Sequence, residues 1–186
     1  MGNVLFELEG KSLIRDVFVE TGTERGMSLD RAVKAGFREI HSIEQCERHY
    51  KNALNVFRGF SRVHLHLGSS PDVLAKILDP SWDVLFWLDA HYQGGGKDEL
   101  DAGGWECPLL NELRVIAAVP WKTLPTILID DAKMFFPWEG RIHGFNREHW
   151  PGMDSIEALL PHHVYTLHQD ILFFIPKGGS LEDPEC

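Results

Sequence analysis

The sequence has few cysteines, little positive charge and no long apolar segment. Its three cysteines, Cys46, Cys107 and Cys186, form no CxxC motif, which excludes a disulfide framework and a thiolate zinc site and favours a reducing, cytoplasmic location. There are 18 Lys and Arg against 28 Asp and Glu, a net charge of −10, so we expect neither nucleic acid nor an anionic membrane as the main partner. No apolar run reaches the roughly 18 residues that span a bilayer, and the N-terminus lacks the basic start of a signal peptide.

The chain is 44% hydrophobic and 25% charged, which is the composition of a globular protein. Its length of 186 residues predicts one domain. We place that domain at residues 1–177 and expect the polar segment 178–186 to be a disordered tail. Short apolar runs predict strands at 17–20, 39–44, 63–67, 84–88 and 126–129, with amphipathic helical segments between them. Two adjoining runs, 164–167 and 171–175, predict an antiparallel hairpin. The pattern predicts an α/β fold with a mostly parallel seven-stranded sheet and helices on both faces.

Several local features refine this prediction. A helix is expected at about 28–34, Ser70 is expected to cap another, and Asp154 and Glu157 resemble a capping box. His64 and His66 alternate with apolar residues, which predicts a structural role for both on one face of a strand near the sheet edge.

In such sheets, ligands bind beyond the carboxyl ends of the strands, so the residues after each strand are the candidates for chemistry. Gly22 and Gly26 allow the backbone to approach a ligand after the first strand, and Glu20 there suits a cationic one. Glu44 ends the second strand about 20 residues later, the spacing of an acid that binds ribose hydroxyls. The third strand ends in Gly68, Ser69 and Ser70, at a helix start, and Ser69 is a candidate for a position beside an adenine.

Acidic residues follow the fourth and fifth strands, at Asp89, Asp130 and Asp131. Three carboxylates at neighbouring strand ends repel one another unless a cation is present, and oxygen ligands favour Mg²⁺, Ca²⁺ or Mn²⁺. His91 lies two residues after Asp89, and an imidazole there could act as a general base or in a supporting hydrogen bond.

With these residues, the sequence resembles the class I S-adenosylmethionine-dependent methyltransferases over about residues 17–176. The string from Glu20 to Ser28 is similar to the first motif of the cation-dependent O-methyltransferases, and the acidic strand ends resemble the macrocin O-methyltransferase-like branch. The resemblance implies an S-adenosylmethionine site formed by the residues Glu20, Gly22, Thr23, Gly26, Ser28, Glu44, Ser69 and Asp89. It also implies a Mg²⁺ or other divalent cation site at Asp89, Asp130 and Asp131. His91 stands where that branch carries a general-base Asp.

The function predicted is therefore cation-assisted O-methylation of a small-molecule or sugar hydroxyl. Three alternatives stay open. One is a metal-independent small-molecule methyltransferase, with N- or carboxylate methylation and His91 as its base. The others are a non-catalytic cofactor-binding module of the same fold and a metal-dependent hydrolase that uses the same acidic cluster. A homodimer is also left open. The Gly-rich segment 93–104 is a candidate lid, and a substrate wall or a packing role is open for the aromatic residues Phe135, Phe136, Trp138, Phe145 and Trp150.

Overall fold

The computed structural model describes residues 6–8, 10–91, 106–137 and 146–178. Its strands are β1 (Glu7–Leu8), β2 (Lys11–Ser12), β3 (Val17–Thr21), β4 (Glu39–Glu44), β5 (Val63–Leu67), β6 (Val84–Leu88), β7 (Thr126–Ile129), β8 (His163–His168) and β9 (Ile171–Pro176). Its α-helices are α1 (Met27–Ala35), α2 (Glu47–Phe57), α3 (Ser70–Ile77), α4 (Leu109–Ala118) and α5 (Met153–Leu159). Short 3-10 helices occupy Ala132–Met134 and Arg147–His149.

The central sheet has seven strands in the order β5-β4-β3-β6-β7-β9-β8, which confirms the predicted fold class. Strands β3 to β7 are parallel, and β9 and β8 close the sheet as an antiparallel pair. The strand order reverses at β3, which pairs with both β4 and β6. Thr21 is level with Ile43 on one side and with Leu88 on the other, so three strands end together beside a topological switch point.

The sheet is buried on both faces. One face packs Val19, Phe86 and Ile127 against α3, α4 and α5, while the other packs Phe18 and Leu85 against α1 and α2. Strands β3, β6 and β7 are buried along their whole lengths because helices cover both of their faces. This core fixes the strand ends, and hence the residues that follow them.

The helix predicted at about 28–34 is confirmed, at Met27–Ala35. The structure corrects two other predicted helix starts. Ser69, not Ser70, is the N-cap residue of α3, and the Ser70 hydroxyl donates to Glu112 instead. The capping box at 154–157 is wrong, because α5 begins at Met153 with Gly152 as its cap. The sequence analysis also missed the small β1–β2 hairpin.

The expected lid, the aromatic residues Trp138 and Phe145, and all but the first residue of the expected tail lie outside the described residues. Phe135 and Trp150 are buried in the core, so their packing role is observed. No helix in the described part of the chain is long and apolar enough to cross a membrane.

Candidate active site

The loop between β3 and α1 passes directly against the end of β6. Gly22 has a φ of 85°, and its backbone N–H donates to the carbonyl oxygen of Ile43 at 2.9 Å. A Cβ at this position would lie 2.4 Å from the carbonyl oxygen of Asp89, well inside van der Waals contact. Only glycine meets both requirements, a left-handed backbone and close approach, so Gly22 fixes how the loop lies against the strand ends.

Glu20 lies beneath this loop. Its carboxylate is fully buried and accepts hydrogen bonds from the hydroxyls of Ser28 and Ser42, each at 2.6 Å. Ser42 is in turn hydrogen-bonded to Thr23. Burial raises the pKa of Glu20 to about 8, against the two hydroxyl bonds, which favour the charged form. The Glu20 carboxylate therefore points into the hydrogen-bond network of the loop itself. It does not point outward toward a cationic ligand, as was expected from the sequence.

Glu44, at the end of β4, organises the same loop from the other side. One of its carboxylate oxygens accepts the backbone N–H of Glu24 at 2.8 Å, and the other accepts that of Cys46 at 2.7 Å. The side chain is largely buried but borders a cavity. Each oxygen keeps a second lone pair, so the carboxylate still has acceptor capacity toward a ligand.

A cavity of about 730 Å³ lies beyond the carboxyl ends of β3, β4, β5 and β6. The predicted site residues that line it are Gly22, Glu44, Ser69, Asp89 and His91. Glu20, Thr23, Gly26 and Ser28 are not among its lining residues in the described part of the chain. The structure therefore brings the predicted residues together in two layers, one at the cavity and one supporting it.

His91 lies between two of the predicted metal ligands. Its Nε2 is 2.8 Å from Asp131 Oδ2, and its Nδ1 is 3.3 Å from Asp89 Oδ1. The imidazole is almost fully buried and packs on the ring of Trp150 at a centroid distance of 5.2 Å. Asp131 itself has a φ of 51°, an uncommon backbone for a non-glycine residue and one that recurs at functional sites.

The charges of this cluster compensate one another. Burial by itself lowers the pKa of His91, but the hydrogen bond to Asp131 and the charge of Asp89 outweigh it, so the pKa is raised. The same hydrogen bond, together with Lys133, holds the pKa of Asp131 below its usual value. Burial raises the pKa of Asp89 to about 7, although His91 opposes the shift. A cationic imidazole thus stabilises the carboxylate of Asp131.

The expected three-carboxylate metal site differs from this arrangement. Asp131 already contacts two cationic groups, since Lys133 Nζ lies 2.7 Å from its Oδ1. Asp130 accepts the backbone N–H of Asp131 at 2.8 Å and so shapes the turn. Asp89 Oδ1 is buried and lies 3.3 Å from His91 Nδ1, but no contact among the described residues gives it a well-aligned hydrogen bond, so it could still accept from a donor group of a ligand. Among the described residues, Asp89, Asp130 and Asp131 do not form a group whose donor atoms all lie within 4.8 Å of one another, so an ion shared by all three would require their side chains to move.

Two buried acids near the site were missed by the sequence analysis. Glu112 in α4 accepts the Ser70 hydroxyl, and burial raises its pKa to about 7. Glu106 accepts the indole N–H of Trp150 at 2.9 Å and so anchors the ring that packs on His91. The signal for Glu112 is its position on the apolar stripe of α4, beside Leu113, where a carboxylate is out of place.

No protein-family model matches the sequence, and no curated protein matches it. Solved structures share its fold. One is a candidate caffeoyl-CoA O-methyltransferase from Staphylococcus aureus, 15% identical with a TM-score of 0.61 over 87% of this chain and 76% of that one. Another is Aeropyrum pernix fibrillarin with natively bound S-adenosyl-L-methionine, 12% identical with a TM-score of 0.58 over 93% and 72%. The N-methyltransferase NodS from Bradyrhizobium japonicum is 12% identical with a TM-score of 0.54 over 87% and 84%. The likeness establishes a Rossmann-like methyltransferase fold.

Proposed function

We propose that the chain is an S-adenosylmethionine-dependent methyltransferase that acts on a small molecule. The observation that carries the proposal is the cavity at the switch point of the sheet, where Gly22, Glu44 and Ser69 meet. Glu44 offers carboxylate oxygens for ribose hydroxyls, Ser69 lies where an adenine would be held, and Gly22 lets the backbone approach the ligand. When bound, the cofactor would supply an electrophilic methyl group.

The acceptor would be activated by His91. Asp131 holds the Nε2 atom of the ring, while the opposite nitrogen faces Asp89 on the wall of the cavity. In its neutral form, with the Nε2–H donated to Asp131, the ring would accept a proton at Nδ1 from the acceptor hydroxyl or amine as the new bond from that oxygen or nitrogen to the methyl carbon forms. We therefore propose O-methylation of a small-molecule or sugar hydroxyl, with His91 as the general base. N-methylation by the same base is the alternative acceptor chemistry.

A second candidate function is methyl transfer assisted by a divalent cation. It is favoured by Asp89 Oδ1, which is buried and lacks a well-aligned hydrogen bond in the described part of the chain, although His91 Nδ1 lies 3.3 Å away. In this version Asp89, Asp130 and Asp131 would bind Mg²⁺, and the ion would lower the pKa of the acceptor hydroxyl. Adding Mg²⁺ to protein treated with a chelator separates the two versions. Restored methyl transfer supports the cation, whereas full activity in the chelator supports His91 alone.

The cofactor site is tested by calorimetry with S-adenosylmethionine and its demethylated product. Glu44→Ala removes hydrogen bonds to a charged group, worth roughly 1.5–3 kcal/mol each, so affinity should fall by about tenfold or more. The matched control is Glu47→Ala, which removes an exposed carboxylate paired with Lys51 and should leave affinity unchanged. Absence of binding by the folded wild-type chain would overturn the proposal. Binding without methyl release to any acceptor would favour the non-catalytic module.

A further inference from the structure

A second group of metal-ligating side chains lies on the sheet, away from the cavity. Glu39 and His41 are two residues apart in β4, so their side chains share one face. His64 is paired directly with His41 across the β4–β5 ladder and lies on that face too. The sequence analysis correctly placed His64 and His66 on one face of an edge strand, but it gave them no function.

The donor atoms of this group have the spacing of a coordination sphere. Glu39 Oε1 lies 3.0 Å from His41 Nε2 and 3.8 Å from His64 Nε2. One donor atom from each of the three residues lies within 4.8 Å of the others. Ligand atoms about 2.0–2.1 Å from a tetrahedral ion are about 3.3 Å apart. The two distances from Glu39 Oε1, 3.0 Å and 3.8 Å, lie within about half an ångström of that value.

The surroundings of His41 orient its ring for this role. Its Nδ1 lies 3.0 Å from Nε2 of His66, while its Nε2 points to Glu39. Without an ion, the His41 Nε2–H donates to Glu39. An ion would replace that proton, and the ring would then donate its Nδ1–H to His66, which is the arrangement that fixes a metal-ligating imidazole. The buried ring also packs on Trp82 and on His66, so its orientation is held from two sides.

We propose that Glu39, His41 and His64 bind one divalent transition-metal ion of the Zn²⁺ class. Two imidazoles and one carboxylate suit Zn²⁺ and its neighbours, whereas Mg²⁺ prefers oxygen ligands, so this site and the Asp89 cluster would select different ions. The Glu39 and His64 side chains are 36% and 45% exposed, which gives an ion a path from solvent and leaves a fourth position open to water.

Binding requires one local adjustment. The rings of His41 and His64 are stacked at a centroid distance of 4.9 Å and an interplanar angle of 26°, so their lone pairs run nearly parallel. His64 must tilt to aim Nε2 at a shared ion, and its exposed position on an edge strand allows this. The ion would then link β4 to the edge strand β5, about 10 Å along β4 from Glu44 and the cavity.

The test uses the full chain without a polyhistidine tag, because ten histidines of its own already compete for metal. After removal of metal with a chelator, Zn²⁺ is titrated in competition with a chromophoric indicator, and Co²⁺ is titrated by visible absorption. We expect one ion per chain, a tetrahedral Co²⁺ spectrum and a higher melting temperature with Zn²⁺. His64→Gln and Glu39→Gln should each weaken Zn²⁺ binding by tenfold or more and abolish the tetrahedral spectrum.

Two controls separate this site from other metal-binding positions. His162→Gln removes an exposed histidine elsewhere on the surface and should leave Zn²⁺ binding unchanged. Asp131→Asn alters the cluster around His91 and should also leave it unchanged, which keeps this proposal independent of the proposed function. Zn²⁺ binding at one ion per chain that survives in the folded double variant Glu39→Gln/His64→Gln would overturn the proposal, as would no saturable binding by the wild type.

Discussion

Replacing Gly22 by alanine tests the geometry on which the cavity depends. Gly22 has a φ of 85°, and an added Cβ would lie 2.4 Å from the oxygen and 2.8 Å from the carbon of the Asp89 carbonyl group. Both are backbone atoms of a strand end buried in the sheet, so no side-chain rotation relieves the contact. The loop and the end of β6 must separate instead.

The magnitude has two parts. A residue with a Cβ in left-handed backbone costs roughly 1–2 kcal/mol. Forcing an extra methyl group into a packed region costs a further 1–3 kcal/mol or so. Gly22→Ala should therefore reduce the free energy of unfolding by about 2–5 kcal/mol, a large part of the roughly 5–15 kcal/mol typical of a domain. Because the loop borders the cavity, affinity for S-adenosylmethionine should fall with it.

Gly36→Ala is the matched control. Gly36 has a φ of 93°, but an added Cβ meets no atom within 4 Å. This variant carries the backbone strain without the clash, so denaturant unfolding should show a loss of only about 1–2 kcal/mol, with cofactor affinity unchanged. If the two variants lose equal stability, the close approach of the loop to Asp89 is wrong. If Gly22→Ala binds the cofactor as well as the wild type, the cavity is not its site.

Two further predictions concern ionisable groups. Asp131→Asn removes the hydrogen bond and charge that raise the pKa of His91. The pKa of His91 should therefore fall in an NMR titration, and the acidic limb of the pH profile of methyl transfer should move to lower pH. An unchanged His91 pKa would contradict the observed pairing. Glu20→Gln tests the buried acid, whose pKa rises from 4.5 to about 8 on folding. A raised acid pKa favours folding at low pH, and this contribution is lost as pH rises through 4.5 to 8. Urea unfolding of Glu20→Gln relative to wild type should therefore gain stability as pH rises, and a difference independent of pH would refute the burial effect.

Much of the fold could be predicted because its signals are continuous along the chain. The strands β4, β5, β6 and β7 have the predicted bounds. β6 and β7 are short, nearly continuous apolar runs, and β5 alternates apolar residues with histidines. The β1–β2 hairpin has only two residues in each strand, too few to produce a period. Two helix starts were misplaced by one or two residues, because residues that favour capping stand side by side, as Ser69 and Ser70 do, and tertiary contacts such as that of Ser70 with Glu112 decide between them.

The site was predicted less completely, because burial of a carboxylate depends on partners that are distant in sequence. Glu20 is buried with Ser42, 22 residues away, and Glu112 with Ser70, 42 residues away. No local pattern marks these pairs, since an acid is expected at the surface unless it finds a partner. The strand-end rule located Gly22, Glu44 and Asp89 at the cavity, but it did not distinguish residues that face the cavity from those that support it.

The sequence does not decide which positive charge offsets the three aspartates at the strand ends. Three aspartates and a histidine in this order are compatible with a divalent cation held by carboxylates, and equally with an imidazolium held between two of them. Both arrangements offset the same repulsion, so composition and spacing do not separate them. In the structure, Asp131 lies within 2.8 Å of both His91 and Lys133, which already offset its charge. A divalent ion at this position must therefore compete with two cationic side chains. A base at His91 must first lose the proton that Asp131 and Asp89 help the ring to hold, so it acts only in the fraction of molecules with a neutral ring. Each version thus has to displace a charge that the cluster already holds, and the response of the chelator-treated protein to Mg²⁺ decides between the two.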